Sequence, residues 1–186
     1  MAAAPAVQLA VATLPVVIQG GMGVAVSDWR LARAVSLTGQ LGVVSGTAVE
    51  VLLTRRTCPP GILDSYFVEG GIAADARFAQ VPRHTLASSV RLQELTVAAG
   101  FAEVFLAKEG HSGTVGINFL RKIELPLPAT LYGALLAGVD YVLVGAGSPA
   151  DLPGLIRALA RHEPVTMSVK VMGARSDDNV GGLTFD

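Results

Sequence analysis

The sequence predicts an α/β fold built on parallel strands, and three observations carry that prediction. Short apolar runs rich in β-branched residues recur at 14–19, 41–45, 115–119, 140–144 and 165–171. Helical stretches with capping signals lie between most of them, which is the alternation of βα units. Hydrophobic residues make up 51% and charged residues 16% of the 186, against about 25% charged in an average domain. That surplus suits strands covered on both faces by helices, and equally a chain that hides surface against a partner.

The first strand, 14–19, runs into Gly20-Gly-Met-Gly23. Glycine has no Cβ, so such a loop lets backbone approach a flat or phosphorylated ligand. It sits at the carboxyl end of a strand, where α/β folds place their ligands. The same residues also read as a tight strand-to-helix turn. In the helix that follows, Ser27 is the expected N-cap, Asp28 suits the positive end, and Gly39 is the expected C′ stop. The second strand, 41–45, ends on Ser45-Gly46-Thr47. Two hydroxyls beside a glycine fit donation to a ligand edge and fit capping of the next helix equally well.

The segment 48–86 breaks the rhythm. A short helix fits 48–56; then come Cys58-Pro-Pro-Gly61, Glu69-Gly-Gly71 and Val81-Pro-Arg83, all turn material. An irregular insertion this long is usually functional or disordered. From 88 to 109 the apolar spacing of Leu92, Leu95, Val97, Phe101, Val104 and Phe105 is helical, with Gly110 as the stop. Gly100 weakens the middle by about 1 kcal/mol relative to alanine, so one helix and two shorter ones both fit.

The third strand, 115–119, contains Asn118. A carboxamide buried unpaired costs about 1–3 kcal/mol, so Asn118 needs partners, either from a ligand or from the core. A helix is expected at 129–138 and the fourth strand at 140–144. Gly145-Ala146-Gly147-Ser-Pro-Ala150 then fits the G-x-G-x-x-A dinucleotide pattern. That pattern usually follows the first strand of its domain, and Lys170 stands where the next strand should end on an acidic residue. A βα loop at the mouth of the sheet explains it as well. Ser148 is the expected N-cap of the following helix, with Pro149 at N1 and Asp151 at N3; that helix ends before Pro164. The fifth strand is 165–171, and the tail around 176–182 reads as irregular and exposed. No internal repeat is recognisable.

The net charge of −1, without a basic run, gives no electrostatic footprint for nucleic acid. No apolar run approaches the roughly 18 residues of a membrane span. Residues 1–13 are apolar but lack the basic n-region of a signal peptide; a loosely ordered arm is the expectation and a signal peptide the alternative. A single cysteine, Cys58, excludes an internal disulfide and fits a reducing, cytoplasmic location. Nothing nearby would lower its pKa, so an incidental thiol is expected. His84, His111 and His162 match no metal-ligand spacing, and no metal is expected. His111 falls between a helix and the third strand, at the amino-terminal face, and reads as structural.

Four segments, in order, resemble the flavin-dependent nitronate monooxygenases (2-nitropropane dioxygenases): Pro15-Val-Val-Ile-Gln-Gly-Gly-Met-Gly23, Gly39-Gln-Leu-Gly-Val-Val-Ser-Gly-Thr-Ala48, the run 103–118 ending Gly116-Ile-Asn118, and the run 131–147 ending Gly145-Ala-Gly147. The resemblance covers about 14–170. The same superfamily includes a flavin-dependent enoyl-acyl-carrier-protein reductase. It implies a (β/α)8 TIM barrel around FMN. Such a barrel typically takes about 250 residues, so 1–186 is expected to be its amino-terminal part: an incomplete barrel of about five parallel strands with an insertion near 48–86.

The resemblance further implies that Gly20, Gly21, Met22 and Gly23 pack on the flavin ring and offer it backbone N–H groups. It implies that Asn118 bonds the flavin, and that Ser45, Gly46, Thr47, Gly145, Ala146 and Gly147 border it. The family's catalytic histidine lies in a Gly-Gly-His segment that does not occur here, and the phosphate grip of such barrels comes from the seventh and eighth βα loops. No catalytic residue is therefore assigned. The implied function is FMN-dependent oxidation of nitronates or similar small carbanionic substrates with oxygen. The alternatives are enoyl-thioester reduction and a catalytically inactive half-barrel that needs a partner, either a complementary carboxyl-terminal half or a further copy.

Overall fold

A computed structural model describes residues 14–56, 82–169 and 182–186, together with positions 73, 75, 77 and 173. The elements, in chain order, are α1 (Trp29–Ser36), β1 (Gly42–Ser45), α2 (Val49–Arg56), α3 (Val90–Lys108), β2 (Val115–Leu120), α4 (Leu127–Leu136), β3 (Tyr141–Gly145), α5 (Leu152–Leu159), β4 (Val165–Met167) and β5 (Leu183–Phe185). The fold is α/β. β1, β2 and β3 form a parallel sheet in that order, with Ser45 beside Asn118, Asn118 beside Leu143 and Leu120 beside Gly145. Parallel register puts all three carboxyl ends on one edge, and that edge carries the site described below.

The core lies between the sheet and the helices. Val44, Ile117 and Phe119 pack with Val104, Leu127 and Leu131, all at most 2% exposed. α3 and α4 cross unusually closely. A Cβ at Gly133 would lie 2.0 Å from the Val97 carbonyl oxygen, and one at Gly100 would lie 2.4 Å from that of Thr130. This resolves the question left at Gly100: α3 is one helix, and its glycine is a contact point with α4, not a break.

Several expectations are corrected. Residues 14–19 do not form a strand; they make one parallel bridge, Ile18 beside Leu41. The backbone ladder stops there because the Gln19 side chain takes over, its Oε1 accepting from Val43 N–H at 3.0 Å. Ser27 is not the cap of α1. Asp28 is, accepting from Arg30 and Leu31 N–H at 3.1 and 3.2 Å. α5 starts at Leu152, later than the Ser148-Pro149 signal, because the Ser148 hydroxyl is used locally, accepting from Ala150 N–H at 3.3 Å. Asp151 occupies the cap position without capping; its carboxylate turns to Arg121 instead, at 3.0 Å.

The fifth strand is the largest departure. β4 does not extend the parallel sheet but pairs antiparallel with β5, Val165 opposite Phe185 and Met167 opposite Leu183. Five strands are present among the described residues, three parallel and two in a separate ribbon. The apolar faces decide it: Val165, Met167, Leu183 and Phe185 are all buried in the core that α5 and α4 share. Cys58, most of the insertion after α2 and most of the tail at 176–182 lie outside the described residues, as do residues 1–13. Among the described residues no helix is long and apolar enough to cross a membrane.

Candidate functional site

A hollow of about 170 Å³ opens at the carboxyl edge of the sheet, lined by Gly21, Met22, Gly23, Val24, Ser45, Thr47, Asn118 and Leu120. Six of these were singled out from sequence. They converge because the loops leaving Gln19 and β1, and the end of β2, meet there by parallel register.

Asn118 organises the site. Its Nδ2 donates to the Gly20 carbonyl at 2.7 Å and contacts Met22 Sδ at 3.4 Å. Its backbone carbonyl accepts from Gly46 N–H at 2.9 Å. Its Oδ1 is buried and has no hydrogen-bond partner, a condition that native proteins rarely leave unexplained.

The loop is held from below. Gly21 has φ +61°, and a Cβ there would lie 2.3 Å from Val43 Cγ1 and 2.9 Å from Asn118 Cβ, so only glycine lets the backbone lie flat against β1 and β2. Ser27, buried, donates its hydroxyl to the Met22 carbonyl at 2.7 Å, and its own carbonyl accepts from Ser45 N–H at 2.8 Å. Ser45 Oγ accepts weakly from Thr47 N–H at 3.5 Å. Among the described residues, the Gly21, Met22 and Gly23 N–H groups form no hydrogen bond. They remain available to a ligand, and no ionisable side chain lines the hollow.

The Gly145–Gly147 loop only borders this site. The Cβ position of Gly145 is 3.9 Å from both Asn118 Oδ1 and Met22 Sδ. Ala146 and Gly147 lead away, Gly147 packing on the Arg121 side chain. Arg121 is itself engaged, by Asp151 at 3.0 Å and Glu124 at 3.4 Å.

His111 behaves as its position suggested. Its Nε2–H donates to the Ala107 carbonyl at 2.6 Å and its Nδ1 accepts from Gly113 N–H at 3.1 Å, which selects the Nε2–H tautomer and ties the turn between α3 and β2. His162 pairs with the Tyr132 hydroxyl at 2.9 Å, away from the hollow. Among the described residues no group of three or more His, Cys, Asp and Glu could hold a metal ion.

Sequence reasoning missed two features. Gln19 is one, with Oε1 on Val43 and Nε2 buried without a partner. The other is a buried polar cluster on the inner faces of α2 and α3. His84 Nε2 lies 3.3 Å from Thr96 Oγ1 and 3.8 Å from Glu50 Oε1, and its Nδ1 lies 3.4 Å from Ser88 Oγ. Burial raises the Glu50 pKa, offset in part by a backbone hydrogen bond, and lowers that of His84. Both shifts favour the uncharged forms. A helical wheel of α2 could have flagged Glu50 among its apolar neighbours; nothing local announces His84.

Comparison of the chain with protein-family models, with curated proteins and with solved structures finds no match.

Proposed function

We propose that this hollow seats one edge of the isoalloxazine ring of FMN, and that the protein works as a nitronate monooxygenase-like flavin oxidoreductase. The observation that carries the reading is Asn118 Oδ1: a buried, unpartnered acceptor at the mouth of a parallel sheet, beside three free backbone N–H groups. A flavin edge offers the complement, an imide N–H flanked by two carbonyl oxygens. Ligand pockets for drug-sized molecules run to roughly 300–1,000 Å³, so about 170 Å³ takes a ring edge and not the whole nucleotide.

The bound flavin would supply electron acceptance from a carbanionic substrate and reaction with oxygen. The chain's own part is narrower. Asn118 orients the ring edge. Gly21 lets the loop lie close enough to touch it, and Ser27 holds the loop through the Met22 carbonyl. No residue of the hollow is positioned as a base, and Arg121 is held by two carboxylates.

The incomplete (β/α)8 barrel belongs to the same proposal. Its support is the open edge beside β1, where Val16 is 91% and Ile18 54% exposed. Such an edge favours the further reading in which a complementary half covers the sheet and supplies the phosphate contacts and the base. The test is the visible absorption spectrum of the purified protein mixed with FMN, together with oxygen consumption on adding an alkyl nitronate. Perturbed flavin bands support the seat, and nitronate-dependent oxygen uptake supports the reaction. NADPH oxidation by an enoyl thioester without nitronate turnover would replace the reaction with enoyl reduction.

A further inference from the structure

The outward face of α3 carries an apolar stripe that nothing in the chain covers. Val90 is 70%, Phe101 36% and Phe105 46% exposed, and the two phenyl rings stack with centroids 5.4 Å apart and planes at 14°. Beside the stripe, a hollow of about 520 Å³ runs between α3, α4 and β5, lined chiefly by Val97, Ala98, Phe101, Tyr132, Leu136 and Phe185. Positions 90, 94, 97, 101, 105 and 108 recur at intervals of three and four and so share one side of the helix. At 19 residues, α3 is long enough, about 28 Å, to act as a continuous seam.

We propose that α3 is the seam of a two-fold homodimer in which the α3 helices of two copies pack antiparallel, centred on Phe101. Charge selects a second copy in that orientation. The stripe has Arg91 and Glu94 near its amino end and Lys108 and Glu109 near its carboxyl end. Antiparallel pairing about Phe101 sets Glu94 opposite Lys108 of the second copy and Arg91 opposite Glu109 of the second copy, two opposite-charge pairs repeated by the dyad. Parallel pairing would set every charge against its own kind. Lys108 already holds Asp140 at 2.6 Å, but its side chain is 26% exposed and an ammonium has three donors. The same dyad brings Phe105 of the second copy over Val97 and Ala98, at the rim of the hollow, so that each copy offers both the projecting ring and the recess. Self-complementarity of this kind is what an isologous interface requires.

The test is the molar mass of the full chain by light scattering over a concentration series. The wild type is expected to be a dimer, while Phe101→Glu and Phe101→Lys, each placing like charges on the dyad, are expected to be monomers. Mixing the two variants should restore the dimer, because only at a dyad does residue 101 meet itself. Should a charge at 101 disturb folding, as circular dichroism would reveal, the exposed pair gives a second measurement. Arg91→Glu and Glu109→Arg should each weaken the dimer, and the double swap should restore it. A monomeric wild type, a dimer that survives the charge at 101, or a mixture that stays monomeric would each overturn the proposal. Association through the edge at Val16–Ile18 would show as an oligomer indifferent to residue 101.

Discussion

Asn118 and Gly20 are joined across 98 residues of sequence by a 2.7 Å hydrogen bond, the Asn118 amide donating to the Gly20 carbonyl. That one bond spends the donor end of the carboxamide on the loop and leaves the acceptor end facing the hollow. Replacing Asn118 with alanine removes a tie between β2 and the loop. The expected loss is about 1 kcal/mol, or roughly 2–4 °C in melting temperature for a chain of this size. A melting temperature that does not move would mean the bond contributes nothing to the fold.

Gly21→Ala is expected to cost more than Gly39→Ala. Both glycines have positive φ, +61° and +78°, but an added Cβ at 21 meets Val43 at 2.3 Å while nothing lies within 4 Å of one at 39. Backbone strain alone, about 1 kcal/mol, applies at 39; overpacking of about 1–3 kcal/mol adds to it at 21. Urea titration of the two variants measures the difference, and equal midpoints would refute the close packing at 21.

Gly100→Ala sets two effects of opposite sign against each other. Helix propensity gains about 1 kcal/mol, whereas the methyl would sit 2.4 Å from the Thr130 carbonyl oxygen on α4. Backbone cannot give way as a side-chain tip can, so overpacking, about 1–3 kcal/mol, is expected to win. A stabilised variant would show that α3 and α4 do not cross this closely.

How much of this was readable in the sequence follows a physical line. The hollow was readable because its parts are local signals at strand ends: glycines after an apolar run, hydroxyls after a second, a carboxamide inside a third. Parallel register then collects strand ends without further instruction. The pairing of β4 with β5 was not readable, because three-residue strands leave almost no periodicity and their partnership depends on a shared core. Residues 14–19 misled because β-branched composition reports propensity, while the ladder was decided by Gln19 folding its side chain onto Val43. Asp28 and Asp151 show the same competition: each follows a serine that looked like the cap, and tertiary contacts chose which residue did what.

The Glu50–His84 contact joins two helices and a turn 34 residues apart, and it predicts a pH dependence. The folded Glu50 pKa is raised by burial. Folded protein therefore binds more protons there than unfolded protein does, and stability falls as pH rises from 4.5 through the folded value. Glu50→Gln removes that loss. It should raise the melting temperature near pH 7.5 and leave it almost unchanged near pH 4. His84 works in the other direction: its pKa is lowered from 6.5, so its contribution is complete above the unfolded value and is lost as pH falls below it. His84→Gln should therefore flatten the stability profile on the acid side of pH 6.5. An unchanged profile in both variants would contradict the buried, uncharged state of the pair.

The central claim is that the hollow at Gly21–Gly23, Ser45 and Asn118 holds a flavin edge through the free Asn118 oxygen. Titrating FMN into wild type, Asn118→Ala and His111→Ala, and following the visible absorption bands, tests it most directly. The expected result is a saturable perturbation in wild type, weakened about tenfold in Asn118→Ala, as loss of one buried hydrogen bond requires, and unchanged in His111→Ala, whose ring is committed to Ala107 and Gly113. No perturbation in wild type, or equal affinity in wild type and Asn118→Ala, would contradict the claim.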